Sequence, residues 1–342
     1  MPETRLSIAH VLPGMNFGGV EVAILKSYQS LNQEFDYKVY FVRDRGELDV
    51  GQCSAVTLFK TILNSDKRPD LILTSLWWGH LVGMVLSLFG VRWACFIHST
   101  GYSSILDKMI TKLSLALCEN HIFDSDTSKN YFSSYKNRQS FVVPYVFFDI
   151  ERSNELNRDP AFTFSWIGRN SEEKRLDLLV KFITSLQEKL ISFRCHICIA
   201  GERDAALDRL ALDYKKSIVV QYNVPPENID EVNYNSKMAL CLSDYEGFSV
   251  TTAEATLRGN FICARKVGEL SHYLSDKSTI WLNDLSQSSW EEFIKKVTDC
   301  IGNEEDVLER RIESQKHATR ILRKKSYIHS LSTGLRDLCD TQ

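Results

Sequence analysis

Hydrophobic positions in the first 144 residues alternate between short β-branched or apolar runs and longer amphipathic stretches. The short runs predict strands and the amphipathic stretches predict helices. Strands are predicted at residues 6–12, 36–42, 71–75, 93–98, 121–123 and 141–143. Helices are predicted from residue 19, over 55–63, 79–89 and 105–118, and again from residue 126. This alternation is typical of βα units around a doubly wound parallel sheet, so the predicted fold class is α/β.

The second half of the chain repeats the alternation after a polar stretch at 149–159, which predicts a linker. Its predicted strands are 163–167, 193–200, 218–222, 238–242 and 261–264; its predicted helices follow Lys174 and cover 205–214, 250–257 and most of 290–338. We therefore predict Rossmann-like domains at 1–150 and 160–325, with a helix at 326–342 packed back on the first domain. Two such domains are expected to enclose a ligand-binding cleft.

Composition narrows the class of protein. A chain of 342 residues suits two domains, and a net charge of −3 disfavours a nucleic-acid partner. The N-terminus lacks the pattern of a secretion signal, which predicts a cytoplasmic protein. Nine scattered cysteines predict reduced thiols. The apolar run at 81–91 is shorter than the ~18–20 residues that cross a bilayer, so membrane contact would be peripheral, at its inner face.

Two glutamates frame the first candidate site, in the segment EGFSVTTAE at 246–254. Glu246 is predicted in a loop and Glu254 in the following helix, with Gly247 allowing a close turn. Carboxylates there can accept hydrogen bonds from a sugar hydroxyl and a ribose diol beside the helix N-terminus. The alternative is that Glu246 caps the helix and Glu254 is solvated on its surface.

Two cations follow the first strand of the second half. Gly168 and Arg169 end that strand, and Lys174 precedes the next helix. Cations at a strand end and a helix N-terminus suit a bound phosphate. The alternative is a surface ion pair with a neighbouring glutamate, which the sequence favours more for Lys174 than for Arg169.

The first half offers a glycine pair and a histidine at strand ends. Gly18 and Gly19 begin a helix and allow an anion or a sugar to approach the backbone, although their spacing is not that of a dinucleotide-binding loop. His98 ends an apolar strand and is either a site residue or a satisfied structural group. Trp77 and Trp78 form either a stacking surface for an acceptor sugar or part of the core.

Three other sequence motifs are interpreted mainly as parts of the structure and not as binding sites. Ser125 or Asp126, after Asp124, is predicted to cap a helix and not to bind a metal. Cys195 and Cys198 lie on one predicted strand without a second pair of ligands, so zinc is not expected. A basic cluster is predicted as a solvated helix face that could also touch anionic lipid: Arg320, Arg323, Lys324 and Lys325.

Taken together, the motifs resemble glycosyltransferase family 4, a retaining group with the GT-B fold of two facing Rossmann-like domains, in its bacterial surface-glycan type. The shared motifs, in the family's order and spacing, are GGVE at 18–21, His98 after a strand, SDTSK at 125–129, Val143-Pro144, IGRNSEEKRLDLLV at 167–180, IAG at 199–201, EGFSVTTAEATLRGN at 246–260 and VGEL at 267–270. The resemblance covers nearly the whole chain.

The resemblance implies a role for each candidate residue. Arg169 and Lys174 would bind the donor diphosphate, Glu246 the donor sugar and Glu254 the ribose, and His98 would contact the transferred sugar. Gly18 and Gly19 would lie against the phosphates or the acceptor. The remaining donor-binding residues implied are Gly168, Gly247, Phe248 and Ser249. No cofactor or metal is expected, because two cations serve the diphosphate.

The implied function is transfer of a hexose or N-acetylhexosamine from a nucleotide sugar, with a UDP-sugar favoured, to a glycan or glycolipid acceptor in lipopolysaccharide, capsule or exopolysaccharide synthesis. Two alternatives stay open, a sugar-nucleotide epimerase and an inactive glycosyltransferase-like binding subunit. Three departures from the family pattern concern the donor and the interdomain turn: Tyr145 and its neighbours after Pro144, one glycine in VGEL, and Ser249 in place of a frequent glycine.

Overall fold

The computed structural model describes residues 5–16, 18–64, 68–135, 139–146, 156, 161–322 and 326–340. The chain divides into two compact units, one of Met1–Phe147 with Lys325–Gln342 and one of Phe148–Lys324. The predicted linker at 149–159 lies outside the described residues except for Leu156, so its position stays a prediction.

The first unit contains a parallel sheet with helices between its strands. The strands are β1 (Ser7–Leu12), β2 (Asp36–Phe41), β3 (Cys53–Ser54), β4 (Leu71–Ser75), β5 (Trp93–Ile97), β6 (Asn120–Phe123) and β7 (Gln139–Val142). The helices are α1 (Gly19–Glu34), α2 (Ala55–Leu63), α3 (Leu76–Ser87), α4 (Ile105–Leu117) and α5 (Asp126–Tyr131). The strand order is β3-β2-β1-β4-β5-β6-β7.

The second unit has the same organisation. Its strands are β8 (Thr163–Arg169), β9 (Arg194–Ala200), β10 (Ile218–Tyr222), β11 (Met238–Cys241), β12 (Phe261–Arg265) and β13 (Thr279–Leu282), in the order β10-β9-β8-β11-β12-β13. Its helices are α6 (Leu176–Glu188), α7 (Ala205–Asp213), α8 (Pro226–Tyr234), α9 (Val250–Leu257), α10 (Leu270–Tyr273), α11 (Gln287–Ile301) and α12 (Glu304–Leu322). The last helix of the chain, α13 (Tyr327–Asp340), belongs to the first unit.

In each sheet, successive strands are first added on one side and then on the other. The change of side falls between β1 and β4 in the first unit and between β8 and β11 in the second. Ligands of open α/β sheets bind at the carboxyl ends of the strands beside such a switch point. The α/β prediction with two doubly wound units is confirmed. The candidate residues at 168–174 lie at the end of β8 and just beyond it, and those at 246–254 follow β11; these are the two strands at the second switch point.

Burial explains why the strands were recognisable. All residues of β4 and β5 are buried, as expected for a parallel sheet covered on both faces. The Ser125 side chain accepts a hydrogen bond from the Ser128 amide at the start of α5, which confirms the predicted cap. Helix α3 begins at Leu76 and not at residue 79 as predicted, because Leu76 takes a left-handed conformation (φ 61°) that leads β4 directly into the helix.

The described part of the chain contains no helix long and apolar enough to cross a membrane. Its nine cysteines all carry free thiols, and Cys53 is the one that lies on the surface.

Helix α13 packs against α1 and β7 within the first unit. Gly334 allows this contact, because a methyl group on its Cα would lie 1.9 Å from the Phe141 ring. We predict that Gly334→Ala lowers the free energy of unfolding by about 1–3 kcal/mol through overpacking, measured by urea denaturation. Gly302→Ala is the matched control, because its added methyl group meets neighbours only at 3.5 Å and beyond. Equal stability of the two variants would contradict the prediction.

Candidate active site

A buried ion pair lies at the centre of the site in the second unit. Lys174 Nζ donates to Glu246 Oε1 at 2.7 Å, and the two side chains are only 19% and 9% exposed. Ser243 Oγ donates to the same oxygen at 2.7 Å. Neither alternative interpretation holds for these two residues, since Glu246 does not cap α9 and Lys174 does not pair with its sequence neighbours.

A short 3₁₀ turn at Glu172–Lys174 directs Lys174 toward Glu246. The turn ends at Arg175, which adopts a left-handed conformation (φ 53°) before α6 begins. The Asp244 amide donates to the Glu173 carbonyl at 2.8 Å, and Arg175 donates to the Asp244 carboxylate at 3.0 Å. These bonds hold the loop after β8 against the loop after β11.

The loop that carries Glu246 is fixed by a close backbone approach. Gly268 has φ +54°, and a methyl group on its Cα would lie 2.4 Å from the carbonyl oxygens of Glu246 and Gly247. The Glu269 amide donates to the Gly247 carbonyl at 3.0 Å. The single glycine of the VGEL segment is therefore placed where contact with the Glu246 loop leaves no room for a side chain.

Ser249 and Phe248 have structural roles in this loop. Ser249 adopts a left-handed conformation (φ 59°), which explains why glycine suits this position. The Tyr273 hydroxyl donates to the Ser249 carbonyl at 3.0 Å, and the Phe248 ring packs on the Tyr273 ring at 5.3 Å. Because Phe248 is 2% exposed, only its backbone could contact a donor.

Arg169 differs from Lys174 in its surroundings. It makes the surface ion pair that the sequence favoured for Lys174, with Glu173 at 3.3 Å and a side chain 55% exposed. The reason is that Arg169 ends β8 pointing outward, whereas the 3₁₀ turn brings Lys174 inward. Gly168 leaves space for the Trp166 ring, which a methyl group would meet at 3.0 Å. Glu254 lies half-buried on α9.

Next to these residues lies a cavity of about 520 Å³. It opens at the carboxyl ends of β8 and β9 and is lined by Asn170, Ser171, Glu172, Arg175, Leu176, Asp177, Asp204 and Asp244. Its volume is that of a small-molecule site. Among the described residues, no group of three or more His, Cys, Asp or Glu side chains is arranged to hold a metal ion.

The pKa of Lys174 reflects two opposing effects. Burial lowers the pKa, but the nearby Glu246 carboxylate raises it by more than burial lowers it. The net pKa is therefore raised, and the ammonium stays charged. Burial and the charge of Glu246 raise the pKa of the neighbouring Cys241 thiol, which therefore stays neutral.

His98, in the first unit, belongs to a chain of hydrogen-bonded polar groups. Its Nε2 lies 2.9 Å from Ser75 Oγ, and its Nδ1 lies 2.8 Å from the Tyr145 hydroxyl. Ser75 Oγ also lies 2.7 Å from His10 Nε2, and His10 Nδ1 hydrogen-bonds to the Tyr37 hydroxyl. Both ring nitrogens of His98 are thus occupied by groups of its own unit. The ring is half-buried.

Three histidines of the first unit, His10, His80 and His98, are kept neutral by burial. Burial and the nearby His80 lower the pKa of His10 to about 3. Burial and the nearby His121 lower the pKa of His80 to about 3. Burial, together with His10 and His80, also lowers the pKa of His98 well below its usual value.

The other first-unit candidates lie at the ends of β1 and β4. Gly18 precedes α1, and a methyl group there would lie 2.3 Å from a carboxylate oxygen of the buried Glu21. A carboxyl group at this point can accept a hydrogen bond from a hydroxyl group. Trp77 and Trp78 are half-buried and stacked at 4.3 Å, with the Arg43 guanidinium 5.7 Å from the Trp78 ring centre.

Sequence reasoning missed several of these contacts. Ser243 was not singled out, although a hydroxyl two residues after a strand end is a recognisable signal. The sequence contains no signal for the contacts of Ser75 and Tyr145 with His98, because His98 is distant from both in the sequence.

Buried neutral histidines make stability depend on pH. The unfolded state binds a proton to His80 below pH ~6.5, whereas the folded state does so only near pH 3, so stability is lost as the pH falls through this range. We predict that His80→Gln removes about 1.4 kcal/mol per pH unit from the slope of the free energy of unfolding between pH 6 and 4.5. Urea titrations of both proteins measure it. Identical slopes would show that His80 is not buried as a neutral ring.

Solved structures with the same fold are glycosyltransferases. Sucrose-phosphate synthase from Thermosynechococcus elongatus has a TM-score of 0.71 and 13% identity, covering 99% of this chain and 100% of that one. HepE of Anabaena, in complex with UDP-glucose, has a TM-score of 0.72 and 14% identity, covering 97% and 98%. The catalytic domain of starch synthase IV from Arabidopsis thaliana, bound to ADP and acarbose, has a TM-score of 0.67 and 10% identity, covering 98% and 99%. These likenesses confirm the GT-B fold prediction.

No curated protein matches the sequence significantly. The family model described as "Glycosyl transferases group 1" matches residues 147–318, which include the Lys174–Glu246 pair and Glu254. Since this match covers half of the chain, the protein belongs to the glycosyl transferases group 1 family.

Proposed function

We propose that the protein transfers a hexose or N-acetylhexosamine from a nucleotide sugar to a glycan or lipid-linked glycan acceptor of a surface polysaccharide, with retention of the anomeric configuration. The observation that carries the proposal is the buried pair of Lys174 Nζ and Glu246 Oε1 at 2.7 Å. It joins the ends of β8 and β11, the strands at the switch point of the unit that the family model covers.

Charge stabilisation of the leaving group is the first requirement of this reaction. As the glycosidic bond to the diphosphate breaks, negative charge grows on the phosphate oxygens, and a preorganised cation lowers the barrier. An ammonium has three N–H donors, so Lys174 can keep its bond to Glu246 and still donate to a phosphate oxygen. Arg169, held by one exposed ion pair, can turn its guanidinium fork to the same diphosphate. We propose that these two cations serve the diphosphate without a metal.

Positioning of the sugar is the second requirement. Glu246 keeps acceptor capacity on its second oxygen, Oε2, for a sugar hydroxyl, because the bonds from Lys174 and Ser243 both go to Oε1. Glu254, half-buried on α9 eight residues later, is proposed to bind the ribose. The backbone of Gly247 to Ser249, fixed by Tyr273 and Gly268, would complete the donor site.

The first unit would supply the acceptor side. A ligand could bond to His98 only in exchange for Ser75 or Tyr145, since both ring nitrogens are occupied. A sugar contact through the ring edge needs no such exchange. The carboxylate beside Gly18 suits acceptor hydroxyls, and the Trp77–Trp78 surface suits stacking with a sugar ring.

A UDP-sugar is the proposed donor. HepE, which shares the fold over 97% of this chain, was solved with UDP-glucose and also with UDP. Starch synthase IV was solved with ADP, so the fold itself does not fix the base.

The proposed function predicts donor turnover. Incubating the protein with UDP-, GDP- and ADP-linked glucose, galactose, mannose and N-acetylglucosamine, with and without EDTA, should release nucleoside diphosphate from at least one UDP-sugar. The same donor should raise the melting temperature, since a ligand that binds only the folded state stabilises it. NMR of the product formed on an oligosaccharide acceptor should show an unchanged anomeric configuration.

Three results would contradict this proposal. Absence of binding and turnover for every donor would indicate an inactive binding subunit. Conversion of the donor to an epimer without acceptor would indicate an epimerase. An inverted product would exclude the retaining assignment.

Variants of the buried Lys174–Glu246 pair are predicted to affect stability and donor turnover differently. Lys174→Met and Glu246→Gln should each lower the free energy of unfolding by about 3 kcal/mol, because each leaves a polar partner buried alone. The double variant should be more stable than the sum of the two losses implies, measured by urea denaturation. All three variants should lose at least a hundredfold in donor turnover.

Lys189→Met and Glu231→Gln are the matched controls, because both side chains are exposed in the same unit. They should keep wild-type stability and turnover. Turnover that recovers with stability in the double variant would mean that the pair is only structural.

A further inference from the structure

Helix α4 exposes an apolar surface in the first unit. Five large apolar residues are more than half exposed: Ile105 79%, Leu106 60%, Met109 62%, Leu113 51% and Leu117 60%. These five residues are called the α4 face. Single exposed apolar residues are common on proteins, but five on one 13-residue helix are a contiguous patch that marks an interaction site.

The α4 face lies on one side of the helix. At about 100° per residue, the five side chains fall within a sector about 120° wide. The opposite side packs on the protein through Leu115 and also carries polar groups, with Thr111 and Ser114 buried there. Helix α4 therefore exposes a second apolar side, unlike a surface helix of a soluble protein, whose exposed side is polar.

Positive charge borders the α4 face. Lys108 and Lys112 are exposed and fall on one flank of the apolar sector. The acidic residue within α4, Asp107, is turned toward the packed side, where it accepts hydrogen bonds from Ser103 and Thr111. The exposed side of α4 thus combines apolar and cationic groups.

Helix α3, which packs against α4, adds apolar surface at its end. Leu88 is 84% exposed there, and Val85 and Phe89 are also exposed. This extends the apolar area of the unit beyond one helix.

We propose that the α4 face docks on the surface of an anionic lipid bilayer. An exposed apolar sector flanked by lysines is the composition of helices that lie in the membrane interface, with lysine stems along the acyl boundary and ammonium groups at the phosphates. With 13 residues, about 20 Å, α4 is too short to cross a bilayer and would lie flat.

The test is co-sedimentation of the full chain with vesicles. Wild type should bind phosphatidylcholine vesicles containing phosphatidylglycerol on the order of tenfold more tightly than vesicles of phosphatidylcholine alone, and added salt should weaken this binding. The variant K108E/K112E should lose that preference. The variant L106D/M109D/L113D should lose binding to both kinds of vesicle.

A matched control places the same change in the second unit. L212D/L308D/I312D also replaces three exposed apolar residues with aspartate, and it should bind vesicles as wild type does. Circular dichroism and urea denaturation verify that each variant is folded. Three results would overturn the proposal: no vesicle binding by wild type, equal loss in the control, or a wild-type dimer in sedimentation that the α4 variant alone abolishes, which would assign the α4 face to a second copy. Failure of donor turnover would not affect this test.

Discussion

A buried pair of opposite charges joins the loop after β8 to the loop after β11 in the second unit. The Lys174 ammonium and the Glu246 carboxylate would each be costly to bury alone, and together they neutralise one another at 2.7 Å. The surrounding loops are arranged to keep them together: Arg175 bonds to Asp244, and Gly268 lets a third loop lie against the Glu246 backbone.

Strand and helix periodicity predicted most of the architecture, because fully buried parallel strands are uninterrupted apolar runs. The elements that escaped detection are short or weakly patterned. Strand β3 has two residues and α10 has one turn of helix, while α8 and β13 were also missed. Such elements owe their conformation to neighbours in the sheet or on the surface, which a local pattern does not contain.

The candidate site was predictable in its residue types and less so in its pairing. Glu246, Arg169 and Lys174 follow strand ends in the sequence, which is enough to place them at one edge of a parallel sheet. That Lys174 pairs with Glu246, 72 residues away, while Arg169 pairs with Glu173, depends on one 3₁₀ turn. Ser249 shows a similar limit. Its left-handed backbone, which the sequence does not reveal, explains why glycine would be less strained than serine at this position.

The chain of polar groups from Tyr37 through His10, Ser75 and His98 to Tyr145 has one consequence for proton order. Every member both donates and accepts, and each neutral imidazole carries a single N–H. When Ser75 donates to one histidine and accepts from the other, the tautomer of one histidine fixes the direction of every other bond in the chain. Two such arrangements of opposite polarity follow, and the tautomer of the half-buried His98 then sets that of His10, a histidine wholly shielded from solvent.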